Sequence, residues 1–185
     1  MRCCLEERIS TNALRSALPL LRRTAELLAD EPAWTQGAWA RDAYQDATEP
    51  EAEGAVSWCL GGAIVRAARE RDLRVQVPIS PAPMEWDQFQ LGGARAFEAA
   101  LDIVAFGCAL WARAWYLAYL PVSRSKGREA VVAAEEMAIA ARGLVVFVND
   151  HDDIAFEDIT ALLATAIAAT QRELASRRRT KRDNR

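Results

Sequence analysis

The chain has 185 residues, 51% hydrophobic and 26% charged, which describes one soluble globular domain able to bury a core without a structural metal or a disulfide. The formal charge of −3 is unevenly placed: residues 177–185 hold six basic groups and one acid, a net of +5, leaving −8 on the other 176 residues. An acidic body repels phosphate, so nucleic-acid contact is confined to Arg177, Arg178, Arg179, Lys181 and Arg182 in the basic end.

In chain order, the first helix is expected over Asn12–Asp30, with Ser10, Thr11 or Asn12 as cap and Leu14, Leu18, Leu21, Ala25 and Leu28 at helical spacing. Pro19 falls inside that pattern, where it either kinks the helix or marks a later start. Residues 33–53 lose periodicity and read as a long ordered loop with room for a short hairpin. A second helix is expected over Ala55–Arg71, with Val56, Cys59, Leu60, Ala63 and Ile64 on its buried face. Gly61 and Gly62 each weaken that helix by roughly 1 kcal/mol relative to Ala, which implies that another group packs closely there.

Pro78, Pro81 and Pro83 punctuate a connection, after which a long helix is expected over Gln88–Leu120 with a break near Gly92-Gly93. Its Ile103–Leu120 stretch approaches the length of a membrane span, but Arg113 near the middle of an isolated span costs at least ~2.5 kcal/mol. A buried central helix is the reading, with no membrane contact. A fourth helix follows over Ser125–Arg142, ended by Gly143, then a short β-type run, Leu144–Val148, and a last helix over Phe156–Ser176. The expectation is an all-α, or mainly α, compact domain of five to six helices over 1–176, with at most a minor strand or hairpin and a flexible basic tail at 177–185.

Four cysteines, Cys3, Cys4, Cys59 and Cys108, show no metal-ligand spacing, and no apolar segment marks a secretory leader. Reduced thiols in the cytoplasm follow, and no cofactor is expected. Glycine-rich phosphate loops, paired-histidine zinc helices and serine-elbow patterns are missing, so the common cofactor and hydrolase routes lack support.

Three segments stand apart from the Ala-rich helices: Trp34-Thr35-Gln36-Gly37-Ala38-Trp39-Ala40-Arg41-Asp42, Trp58-Cys59-Leu60-Gly61-Gly62-Ala63, and Asn149-Asp150. Together they resemble a family of small uncharacterised bacterial and phage proteins of unknown function. The resemblance implies a shared fold and a shared pocket but no reaction. Against that pattern, this chain carries a long insertion between the Cys59 helix and Asn149, and an acidic turn, Asp150-His151-Asp152-Asp153.

Physically these residues suit a structural knot, in which Arg41 grips Asp42, Asp150 or another carboxylate and pins the loop onto the core. They also form the candidate binding set: Trp34, Gln36, Trp39, Arg41, Asp42, Trp58, Asn149 and Asp150. Exposed-loop tryptophans on an acidic body point to recognition of a protein partner or of the chain's own copy, in a regulatory helical module. The alternative is a cysteine-dependent hydrolase or acyltransferase with Cys59 as nucleophile, His151 as base and Asn149 as orienter. A weaker alternative takes Asp150, His151, Asp152 and Asp153 as ligands for a hard cation, although consecutive residues rarely converge on one ion.

Overall fold

A computed structural model describes residues 9–76, 92–119, 145 and 148–183. The fourth helix expected over Ser125–Arg142, the prolines after Val77, and Cys3 and Cys4 lie outside them. Helix α1 runs Thr11–Leu27, and Ser10 caps it by accepting the Ala13 N–H on its hydroxyl at 3.2 Å. The helix continues through Pro19. A 3-10 turn, Glu31–Ala33, leads into a small sheet made of β1 (Ala40–Asp42), β2 (Ala47–Thr48) and β3 (Ala55–Trp58), ordered β2-β1-β3 and antiparallel throughout. The register slips between Arg41 and Asp42, a bulge that twists the sheet where the β1–β2 hairpin begins.

Helix α2 then spans Leu60–Arg69, β4 (Val75–Gln76) pairs with β5 (Gly92–Gly93), and helix α3 spans Arg95–Tyr119. Helix α4 closes the chain as a single rod, Phe156–Asp183. Helix α1 lies at the centre, packed against α2, α3 and α4. Leu14, Leu20 and Leu21 of α1 meet Leu60 and Ile64 of α2, Phe97, Leu101 and Val104 of α3, and Ile159 and Leu163 of α4 in one fully buried cluster. Burial of this kind contributes roughly 1.5–3 kcal/mol per large side chain, and it is what holds the helices together. No helix among the described residues is long and apolar enough to cross a membrane.

The expected all-α bundle of five to six helices is therefore corrected. Among the described residues the fold is mainly helical, with four main helices, further helical residues at Val145, Val148 and Asn149, a three-stranded antiparallel sheet and the β4–β5 pair. Two segments account for the difference. Ala55–Trp58, expected to open the second helix, is a strand, because its backbone pairs with β1 and with Trp34 before Cys59 turns the chain into α2. Leu144–Val148, expected to be a strand, is helical at Val145 and Val148, and both side chains are fully buried three residues apart, as one helix face requires. The expected break at Gly92-Gly93 is present as β5, and α3 starts after it.

Charged side chains tie the elements together. Arg23 of α1 donates to Glu70, just beyond α2, from Nε at 2.6 Å, and Arg66 donates to the same carboxylate at 3.0 Å. Hydrogen bonding to Arg23 holds the Glu70 carboxyl below its ordinary range. At the other end, α4 does not stop at Ser176. Arg177 pairs with Glu173, whose side chain is 8% exposed, and reaches the Ile9 carbonyl at 2.8 Å and the Thr11 hydroxyl at 3.2 Å. The last helix is thereby fastened to the first turn of α1.

Removing that fastener leaves a buried carboxylate without its cation. Arg177→Ala is expected to lower stability by roughly 2–3 kcal/mol, whereas Arg178→Ala, at an exposed residue, stays within about 0.5 kcal/mol of the parent. Urea denaturation of both variants checks this, and equal midpoints would remove the anchor.

Candidate functional site

The three sequence motifs meet at one buried side chain, Asn149, which has no exposed surface. Its Oδ1 accepts the Trp34 indole N–H at 2.8 Å and the Leu60 backbone N–H at 2.9 Å. Its Nδ2 donates to the Thr35 carbonyl at 3.0 Å and to Asp150 Oδ1 at 2.8 Å. All four bonds of the amide are made, two as acceptor and two as donor. The reverse orientation would set an NH2 against two N–H donors, so the network itself fixes which way the amide faces.

The first motif wraps around this hub. Gln36 Nε2 donates to the Asn149 carbonyl at 2.7 Å and the His151 carbonyl at 3.3 Å, and the Gly37 N–H donates to Asp150 Oδ1 at 3.0 Å. Gly37 has φ of 68°, a left-handed conformation that a side chain rarely adopts. The Trp34 ring also lies 6.2 Å from that of Phe156, at the start of α4. One tryptophan thus links the loop, the hub and the last helix.

The second motif closes the same knot from the α2 side. Cys59 is the N-cap of α2, its Sγ accepting the Gly62 N–H at 3.2 Å, and its own N–H donates to the Trp39 carbonyl at 3.1 Å. A Cβ on Gly62 would fall on that carbonyl, and one on Gly61 would come within 3.0 Å of the Trp39 ring. The close approach expected from the two glycines is the Trp39 segment crossing the start of the helix. With Cys59, Asn149 and Trp39 in place, the α2 N-terminus is filled by the protein's own groups.

A family model for DUF6197, a family of unknown function, matches residues 14–169 and so includes all three motifs. The chain belongs to DUF6197. No curated protein and no solved structure matches it. The DUF6197 span runs from α1 to α4 and thus contains the whole knot, while the basic residues from Arg177 onward lie beyond it.

Within this DUF6197 knot each expected site residue has a place. Trp34, Gln36, Asn149 and Asp150 are joined directly, and Trp39 and Trp58 flank them. Trp58 is buried and donates its indole N–H to the Pro50 carbonyl at 3.0 Å. Arg41 is held differently from expectation. Its guanidinium donates to the Thr35 hydroxyl at 3.0 Å, to the Gln45 carbonyl at 2.8 Å and to the Gln36 carbonyl at 3.4 Å, and no carboxylate among the described residues takes part. Asp42 instead accepts the N–H groups of Tyr44 and Asp46 at 2.8 and 3.0 Å, organising the hairpin turn.

The catalytic and metal alternatives find little to work with. Burial pushes the Cys59 thiol up to about 12, and the nearby Asp150 charge adds to the shift. His151 Nδ1 accepts the Asp153 N–H at 3.1 Å, which engages that nitrogen within its own turn. Asp152 and Asp153 face outward. Among the described residues no three His, Cys, Asp or Glu side chains gather as a metal site would require.

Outside the sequence motifs, Tyr44 at the tip of the β1–β2 hairpin is 87% exposed. A sequence signal exists in Asp42, whose carboxylate takes the N–H groups of Tyr44 and Asp46, but nothing marks Tyr44 as outward-facing.

Asn149→Ala strips the partners from two N–H groups and one carbonyl in a dry interior, at an expected cost of roughly 3–5 kcal/mol. Chemical denaturation measures it. A loss below about 1 kcal/mol would mean that the knot is not what secures the loop.

Proposed function

We propose that this chain is a non-enzymatic protein-binding module whose docking element is the acidic hairpin bearing Tyr44. The observation that carries this is the contrast between that ring, 87% exposed, and the surrounding motif side chains, which are bonded inward. The ring stands on a rigid turn. Asp42 takes the N–H groups of Tyr44 and Asp46, Arg41 takes the Gln45 carbonyl, and Gln45 itself has φ of 69°. Such strain persists only where surrounding bonds over-determine the backbone, and an aromatic held in this way loses little freedom on binding. Val56, 46% exposed on β3, adds apolar surface on the same small sheet.

Regulation by binding, in a bacterial or phage setting, is the role that this reading and the resemblance support together. The buried free thiols Cys59 and Cys108 suit a reducing cytoplasm. Catalysis through Cys59 and His151 has no observation in its favour, since a capped, desolvated thiol is a poor nucleophile.

The test is a photo-reactive aromatic residue installed at position 44 and, as control, at the exposed Glu26. Illumination in the cells of origin should yield a covalent protein adduct from position 44 and not from position 26. No adduct from position 44 would sink the reading.

Cys59 supplies an independent check. Because its folded pKa is raised from 9.0 to about 12, the folded state holds a proton that the unfolded state releases; the associated stability is intact below pH 9 and declines as pH rises toward 12. Cys59→Ser, which can cap the same N–H, should make that alkaline decline shallower, and Cys59 of the native parent should resist alkylation until unfolding. Rapid native labelling of Cys59 would revive the enzyme alternative.

A further inference from the structure

We propose that the partner of the acidic hairpin is the basic end of α4 from a second copy of this chain, giving head-to-tail self-association. The proposal rests on the binding-module reading and names its partner.

Two oppositely charged poles carry the argument. Residues 42–56 contain five acidic groups and no Lys or Arg. Asp42 is taken by the hairpin turn and Glu51 pairs with Arg69, but Asp46, Glu49 and Glu53 are exposed and make no side-chain hydrogen bond or ion pair among the described residues. Tyr44 stands on the same hairpin. At the other pole, the helical backbone of α4 continues seven residues past Ser176, to Asp183. Arg177 fastens that end to α1, while Arg178, Arg179 and Lys181 are exposed and equally without an acidic partner.

Among the described residues the two poles form no ion pair with one another within one molecule. The N-terminal end of α4 is held at the knot by the Trp34–Phe156 contact, and the hairpin is attached to that same knot through Arg41 and Thr35. From Phe156 to Arg178 a helix rises roughly 33 Å, which carries the basic groups a helix length away from the knot to which the hairpin is attached. A second copy brings them together. Its arginines meet Asp46, Glu49 and Glu53, and a guanidinium can stack on the Tyr44 ring, which combines charge pairing with a cation–π contact.

A polyanion such as nucleic acid fits less well. It would engage the basic pole alone, be opposed by the −8 body, and leave the acidic hairpin and its tyrosine without a partner. A head-to-tail contact also leaves one free pole at each end, so association either continues or closes into a ring.

The experiment is sedimentation velocity on the full-length protein across a concentration series, at low ionic strength (~0.02 M) and again at ~0.5 M, where charges separated by more than about 4 Å are screened. Concentration-dependent assembly at low salt, weakened at least about tenfold at high salt, is expected. Two charge-reversed proteins then test the geometry: one carrying R178E, R179E and K181E, the other D46K, E49K and E53K. Each alone should be monomeric, and an equimolar mixture should reassemble, because each reversed pole meets its complement on the other protein. Tyr44→Ser, at a site too exposed to affect folding, should weaken assembly on its own and keeps the idea testable if a reversed protein fails to fold.

A monomer at every concentration in low salt overturns the proposal, as does a mixture of reversed proteins that stays monomeric. Binding of a duplex oligonucleotide by a protein that does not self-associate overturns it in favour of phosphate contact. The binding-module reading fails separately: a position-44 adduct with a different protein overturns self-association alone, whereas no adduct removes both.

Discussion

A single buried amide, Asn149, joins three stretches of chain that are far apart in sequence. A primary amide in a dry interior is costly unless every lone pair and N–H is matched, and here the four partners come from the loop after α1, the first residue of α2 and the residue next to Asn149 itself. The arrangement tolerates little adjustment. If the loop shifts, Trp34 and Thr35 both lose bonds; if α2 shifts, the Leu60 N–H is orphaned. The position of each element is therefore conditional on the others, and it is this mutual condition, more than the loop's own secondary structure, that gives residues 34–42 one conformation.

The order passes outward from the hub. Thr35, fixed by its carbonyl to Asn149, offers its hydroxyl to Arg41, and Arg41 extends to the Gln45 carbonyl across the hairpin. Asp42 completes the turn from the opposite side of the strand. Tyr44 is thus the last link in a chain of bonds that begins in the interior, which explains how so exposed a ring is carried on an ordered backbone. Its exposure contributes nothing to folding, and loss of its conformational freedom has already been offset by bonds made elsewhere.

The three motifs are legible in the sequence, but their partners in the structure differ from those it suggests, for identifiable reasons. Arg41 and Asp42 were natural candidates for a pair by proximity, yet neighbours on a strand point to opposite faces, so Asp42 was available to the turn and not to Arg41. Val56, Cys59, Leu60 and Ala63 fit a helical stripe, and only the non-local bonds of β3 to β1 reveal that the helix begins at Leu60 and that Val56 faces solvent. Val145 and Val148 have β-type propensity, which their burial on one helix face overrides. Gly61-Gly62 was legible in the sequence because two glycines in a helix's first turn have a cost that demands a neighbour, and Trp39 is that neighbour. Gln45 in a left-handed conformation left no trace in residue type, since glycine or asparagine would be the usual choice there.

The filled N-terminus of α2 also bears on what kind of function the DUF6197 knot can support. An open helix N-terminus attracts anions through its unpaired N–H groups and its dipole, and a cysteine placed there is normally activated. Here the Leu60 N–H is taken by Asn149, the Gly62 N–H by Cys59, and the carboxylate of Asp150 lies close enough to disfavour a thiolate. The same residues that would make an oxyanion site in an open cleft have been turned into closure. Chemistry at this point would require breaking the bonds that hold the loop, the hub and the hairpin together. Recognition at the hairpin tip requires breaking none of them, and that difference is the ground on which we propose binding at the surface.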